Sequence, residues 1–423
     1  MRKLVLLGLL ASLSTVASAK IYEDVNQWSD EYETKFTEWL SSDNVYPTMF
    51  TDEKSKWYGI KADCADAAYA LRLIFSYENK LPFVIKNPGY NRRRGNAKTW
   101  SNQTSRFDKY DSAVERVIKF ANYLGSSLGS EHFTANDTYP VRLDSLRGGD
   151  YFTYKYQTSA GYTRHVYNIK DVNIYGNFDA IWSNQQRKKE GRPMKMKQNM
   201  SFKHKPDRNY WGFKRFKRPE FITVSQINVP ENLDFSTEQY NIAAEQTEKG
   251  FFKHVQQLHK QVDESVDGII SKNLKSLCEA AIERIDIVKG GVDFAKEING
   301  RCMNYTEYDI YSTPSRDNRL QSLFETLASD WNEVLSNGED DKVQLENSDL
   351  TKAILSADLI SEDQQKKLKT FCSINYKEGG EELTLRELNQ RFKAGKVSYH
   401  PNDNIDRRWG LEKGRKTNCK VWY

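Results

Sequence analysis

The sequence predicts an α+β chain of two domains behind a secretory leader. Three observations carry that reading. The N-terminus is charged, then apolar, and ends in a small-residue cleavage motif. The first half mixes amphipathic helices with period-two strand patterns. In the second half the apolar residues recur at helical spacing. The predicted organisation is a leader at 1–19, a mixed domain at 20–225 and a helical domain at 226–423.

The leader consists of Arg2 and Lys3, an apolar run from Leu4 to Val16, and Ala17-Ser18-Ala19 before Lys20. The run is shorter than the roughly 20 apolar residues a spanning helix needs, so it reads as a cleavable signal rather than an anchor. No later segment is apolar enough to cross a membrane. The chain is therefore expected to be exported, to a periplasmic or extracellular location. With 38% hydrophobic and 13% aromatic residues, much of the core must come from Tyr, Phe and Trp.

In the first domain, Asp63 is a good N-cap for a helix running from Cys64 through Phe75. Cys64, Ala67, Ala68, Leu71, Ile74 and Phe75 fall on one face of it. Residues 111–124 predict a second amphipathic helix. After the turn Leu146-Arg147-Gly148-Gly149-Asp150 come three strand patterns, 151–156, 164–169 and 178–183, separated by Gly161 and by Gly176-Asn177. They read as an antiparallel meander. A further strand at Phe221–Val224, followed by Pro230, sets the domain boundary. Beyond it, 236–261, 264–289, 319–336, 348–357 and 361–372 carry apolar stripes. Leu320, Leu323, Phe324, Leu327, Trp331 and Val334 form the clearest of them. Thr384 to Glu387 is a capping box that opens a short helix closed by Gly395.

The formal charge of +5 decides little, but its distribution is uneven. Residues 187–218 hold thirteen Lys and Arg against Glu190 and Asp207. This stretch is either a solvated loop or a docking surface for an anionic partner, such as phosphate-bearing glycolipid or wall polymer. Nucleic acid is not expected as a partner of an exported protein.

Of the five cysteines, Cys278, Cys302, Cys372 and Cys419 lie in the helical half, and Cys64 stands alone. In an oxidising compartment the four are expected to pair. The expected pairs are Cys278–Cys302, folded back at the Gly290-Gly291 break, and Cys372–Cys419, tying down the tail. No CxxC or HxxxH spacing occurs, so no metal and no cofactor is expected.

Cys64 is the candidate for chemistry. A thiol acts as a nucleophile only as thiolate. A helix N-terminus would stabilise that charge, and an imidazole would take the proton. His165, on a predicted strand, is the candidate base. Asp179, across the Gly176-Asn177 turn, is the best placed residue to orient it, with Asn177, Ser183, Asn184 and Asp171 as rivals. Tyr58 could put a hydroxyl near a developing oxyanion. Against this, Asp63 and Asp66 would raise the thiol's pKa, and a lone cysteine on an apolar helix face is often just a small buried hydrophobe.

Asp63-Cys64 opening an alanine-rich helix resembles the papain-like cysteine peptidases, in particular the NlpC family of cell-wall endopeptidases. Leu146-Arg147-Gly148-Gly149-Asp150 followed by Arg164-His165-Val166 is similar to that family's Leu-x-Pro-Gly-Asp segment and His-Val strand. The cysteine helix ending in Leu81-Pro82 and the interval from His165 to Asp179 also resemble the transglutaminase-like branch. The resemblance covers roughly residues 55–185. Ala65-Asp66 departs from the Ser-Gly that follows the family's cysteine, and the long interval from Cys64 to His165 implies an insertion around Asn91 to Lys98. The resemblance implies a papain-like first domain and hydrolysis of an amide bond in cell-wall peptide: Cys64 attacks, His165 shuttles the proton and Asp179 holds the imidazole. Two other classes stay open. One is a non-catalytic binding protein for envelope polymer or glycan. The other is a transglutaminase-like acyl transferase.

Overall fold

The computed structural model describes residues 20–158, 161–183, 193–200, 202–207, 209–377, 382–411 and 416–422. The expected leader, Asn184, and residues 187–192, 201 and 208 of the basic stretch lie outside the described residues. The architecture is α+β, in two compact units. The first comprises 20–157 and 162–261, and the second chiefly 262–423.

The first unit opens with α1 (Asp30–Ser41), whose Ser29 cap accepts from the Tyr32 amide and which buries Phe36 and Leu40. The predicted cysteine helix is α2 (Cys64–Glu78). Asp63 and Asp66 form a capping box at its start, and every residue from Cys64 to Ser76 is buried. A helix enclosed on all sides needs small residues where neighbours press closest, which the alanines supply. Its buried Arg72 is held by Glu33 through two hydrogen bonds of 2.9 and 2.6 Å, and its guanidinium lies 3.3 Å from the Trp28 ring centroid. An antiparallel hairpin, β1 (Val84–Lys86) and β2 (Thr99–Ser101), follows. Next come α3 (Ala113–Ser127), packed on α2, and the single turn α4 (Ser130–His132), which runs into a π-helical turn at Phe133–Asp137.

The main sheet has six strands: β3 (Thr138–Pro140), β4 (Tyr151–Thr158), β5 (Gly161–Val172), β6 (Phe178–Trp182), β7 (Lys195–Met200) and β8 (Phe213–Phe216). Their spatial order is β3-β8-β4-β5-β6-β7. The expected meander is its β4-β5-β6 core. Successive side chains leave opposite faces. Tyr151, Val166, Ile181 and Phe216 pack on the α2 side, whereas Phe152, Ile169, Ala180, Trp182 and Phe213 pack on the other. That second face is covered by α5 (Glu238–Glu245) and α6 (Glu248–His259) through Ala243, Phe251 and Val255.

This packing corrects the expected boundary. Residues 226–261 belong to the sheet-bearing unit, because α5 and α6 find their apolar partners there. The division falls at 261/262 rather than 225/226. Two smaller expectations also change. The predicted helix 236–261 is interrupted at Gln246-Thr247, where Thr247 caps α6 by accepting from the Gly250 amide. Phe221–Val224 is not a strand: Phe221 ends a 3-10 turn started by Pro219, and the residues after it continue as turn and bend.

The second unit contains α7 (Val266–Glu297), α8 (Tyr305–Tyr311), α9 (Pro314–Ser336), α10 (Leu345–Leu355), α11 (Glu362–Phe371), α12 (Leu385–Lys393) and α13 (Ile405–Arg408). The predicted Leu320-to-Val334 stripe is buried in its core, and Thr384 forms the expected capping box on α12. The cysteines predicted to pair do so, but in a different pattern: Cys278–Cys372 and Cys302–Cys419. The reason is that α7 does not break at Gly290-Gly291. A Cβ on Gly291 would lie 2.9 Å from Arg408 Nη1 and 3.1 Å from Tyr311 Cβ, so this glycine serves close approach rather than a turn. The uninterrupted helix carries the chain about 29 Å from Cys278 to Glu297, at roughly 1.5 Å per residue, and Cys302 cannot fold back.

Candidate functional site

Cys64 is the first residue of α2, buried, and the one free cysteine among the described residues. Its sulfur lies 3.5 Å from Ser130 Oγ on α4. Burial, and then the Asp63 carboxylate, push the thiol up to about 12, while Ser130 and the Val166 backbone pull only weakly the other way. The thiol is therefore protonated at neutral pH. The helix N-terminus does not rescue it, because Asp63 Oδ1 already accepts from the Ala65 and Asp66 amides at 3.0 and 3.1 Å. The positive end of the helix is spent on its own cap.

His165 does not meet Cys64. On β5 it is Val166 that packs in the α2-side core beside Cys64, and pleat alternation sends the neighbouring imidazole to the opposite face. No hydrogen bond joins the two residues. The His165 ring packs against Tyr167 at 4.4 Å and Tyr154 at 6.0 Å between centroids. Its Nε2 is buried without a hydrogen-bond partner. Burial, then the nearby Lys195 charge, lower its pKa to about 3, so the ring is neutral.

Asp179 does not reach His165 either. The β5–β6 register sets Asp179 opposite Asp171, six residues along β5 from His165, which is about 20 Å at roughly 3.3 Å per residue. Its Oδ1 accepts from the Asn199 amide instead, at 2.8 Å. Among the rivals, Ser183 donates to the Ala62 carbonyl at 2.6 Å and Asn177 accepts from Gln256 at 3.2 Å. Asn184 lies outside the described residues. Tyr58 sits in a surface turn with its side chain 47% exposed and makes no side-chain hydrogen bond.

The basic stretch also departs from expectation. Its last part, β8 and Lys217 after it, is internal. Lys214 Nζ is bound by the Gln226 side chain and the Tyr210 carbonyl. Arg215 pairs with Asp150 at 2.6 Å and Asp234 at 2.7 Å. Lys217 Nζ donates to the Asn136 and Val224 carbonyls at 2.6 and 2.7 Å, and Arg218 pairs with Asp30. These groups pin loops together and are not offered to a partner.

What the sheet does assemble is a run of partly exposed rings at one end of its second face. Tyr156 and His204 stack at 4.2 Å with planes 20° apart. Tyr154 lies 4.9 Å from His204, and His165 and Tyr167 continue the run to Trp182, 5.2 Å beyond. Tyr156 is 47% exposed, and Tyr154, His165, Tyr167 and His204 are half-buried. His204 holds a left-handed φ of +65°, costly for a residue with a Cβ, and its amide donates to Glu248 Oε2 at 3.0 Å. Sequence reasoning missed this array. The signal was present: Tyr154 and Tyr156 on one strand, and His165 and Tyr167 on the next, recur at the two-residue spacing that puts rings on one face.

Among the described residues no group of His, Cys, Asp and Glu could hold a metal ion, and no helix is long and apolar enough to cross a membrane. Two disulfides are consistent with an exported protein. Comparison with known protein families, characterised proteins and solved structures finds no match.

Proposed function

We propose that this chain is an exported, non-catalytic binding protein that holds an envelope glycan against the aromatic end of its main sheet. The observation that carries this reading is the half-exposed run Tyr156–His204–Tyr154–His165–Tyr167. Aromatic rings combine apolar faces, which suit the C–H faces of a sugar, with polar edges that can bond its hydroxyls. The strained His204 backbone, held by Glu248, is the kind of cost that persists where a side chain must be aimed.

The thiol-hydrolase reading has less support. It needs a thiolate, a base within reach and an orienting group. Cys64 is buried with its pKa near 12, and the imidazole and Asp179 lie elsewhere. The decisive experiment measures binding of the exported chain to isolated cell-wall glycan and, in parallel, release of new amino groups from wall peptide. The Y156A/H204A double variant is expected to lose about ten-fold in binding, as truncated aromatic anchors do, and C64A to bind like the parent. Cys64-dependent release of amines would overturn the proposal in favour of hydrolysis. Cys64-dependent incorporation of an added amine would point to acyl transfer.

A further inference from the structure

From Asn79 to Phe107 the chain has no acidic residue and carries seven Lys and Arg. Four of these, Arg92, Arg93, Arg94 and Lys98, sit in the loop joining β1 to β2, where residues 88–98 are all exposed. None of the four forms an ion pair among the described residues. Elsewhere in this chain Lys56 pairs with Glu78 and Lys367 with Asp349.

The loop is nonetheless built. Asn87 Nδ2 donates to the Ala97 carbonyl at 2.7 Å, and Asn96 Nδ2 to the Gly89 carbonyl at 2.7 Å, closing the loop on itself at two levels. Asn91 Oδ1 accepts from the Arg93 amide at 2.9 Å and starts a 3-10 turn of the three arginines. Gly95, at φ +65°, ends that turn in the left-handed region. Three asparagines thus fix a projecting turn whose only long side chains are cationic or, at Tyr90, aromatic.

We infer that this turn docks the protein on a lipid surface bearing phosphate head groups. A guanidinium presents a planar fork that matches phosphate oxygens two at a time, and three in succession present several forks at once. The turn is convex. A single polymer strand is gripped best by a groove that encloses it, whereas a bilayer offers an extended array of phosphates that a protrusion can meet. Tyr90 beside the arginines has the amphipathic character of residues that settle at head-group level. This contact is separate from the aromatic run on the main sheet, and each is tested by its own variants.

The test is co-flotation of the exported chain with phosphatidylcholine vesicles, alone or containing phosphatidylglycerol. Binding is expected only to the anionic vesicles and is expected to weaken steeply as salt rises. Each arginine near the surface is worth about five-fold in partitioning, so R92Q/R93Q/R94Q should lose on the order of a hundred-fold. R92K/R93K/R94K, which keeps the charge but loses the planar fork, should bind more weakly than the parent and more strongly than the glutamine variant. A matching unfolding midpoint for both variants guards against misfolding. Four results would overturn the inference: equal binding to neutral vesicles, undiminished binding of the glutamine variant, no vesicle binding, or binding to soluble inorganic polyphosphate with none to vesicles.

Discussion

Two short segments of the first unit are almost equally basic and have opposite fates. Residues 92–98 hold Arg92, Arg93, Arg94 and Lys98, and residues 214–218 hold Lys214, Arg215, Lys217 and Arg218. The first set is exposed and lacks ion pairs. In the second, Lys214, Arg215 and Lys217 are buried. The difference is topological. Strand β8 lies inside the sheet, between β3 and β4, where both faces are packed: Phe216 sits in the α2-side core and Phe213 in the core under α5 and α6, so its cations must find oxygens inside. The β1–β2 loop projects from a two-stranded hairpin, where water is the default partner. Local charge density is therefore silent about role. The neighbours brought in from elsewhere in the chain decide it.

The largest expected effect comes from removing a buried cation. Arg215→Ala would leave Asp150, 1% exposed, without its main counterion. Breaking a buried pair by deleting one partner typically costs about 3–5 kcal/mol, because the remaining charge is stranded in a poor dielectric. Denaturant unfolding measures it. A loss below about 1 kcal/mol, the range of surface ion pairs, would erase the contrast between the two segments.

Lys217 sharpens the comparison through pH. Burial, only partly offset by Asp137, lowers its pKa to about 8, below the unfolded value of about 10.4. The unfolded chain then binds the proton more tightly than the folded one. This group's contribution to stability is present above about pH 10.4 and is lost as pH falls through about 8. The stability advantage of the parent over Lys217→Met should therefore grow between those values by at most on the order of 3 kcal/mol. The variant is the necessary control, since Cys64, raised to about 12, works the other way over part of the same range. A gap that does not change with pH would mean that Lys217 is solvated like the hairpin arginines.

Much of this architecture was readable in the sequence, for identifiable reasons. The helix cap at Asp63, the strands around Gly161 and Gly176, and the Leu320-to-Val334 stripe are set by contacts a few residues apart, and each forms as expected. What failed depended on register or on distant partners. The choice between His165 and Val166 as the residue facing Cys64 is a one-residue question, and a slip of one residue exchanges the two faces of a strand. Pairing Cys278 with Cys302 requires Gly290-Gly291 to break the helix, whereas Gly291 is there to admit Tyr311 and Arg408. The burial of Lys214, Arg215 and Lys217 required knowing that β8 inserts between two strands far from it in sequence.

The smallest expected effect is the counterpart of the first. In R92Q/R93Q/R94Q three arginines are replaced, yet no ion pair is broken, because their side chains meet neither a carboxylate nor a carbonyl among the described residues. The loop's shape rests on Asn87, Asn91 and Asn96, which the variant leaves intact. Glutamine keeps a polar, flexible side chain at each site, so helical-turn propensity changes little. The unfolding free energy should therefore move by less than about 0.5 kcal/mol, the usual range for surface substitutions remote from special features. A small gain is the expected sign, since three neighbouring positive charges repel one another and the repulsion is relieved. That gain should shrink as added salt screens the charges over roughly 8–10 Å. A loss of more than about 1 kcal/mol would mean that the arginines hold the loop together, and the two basic segments would then be alike in kind.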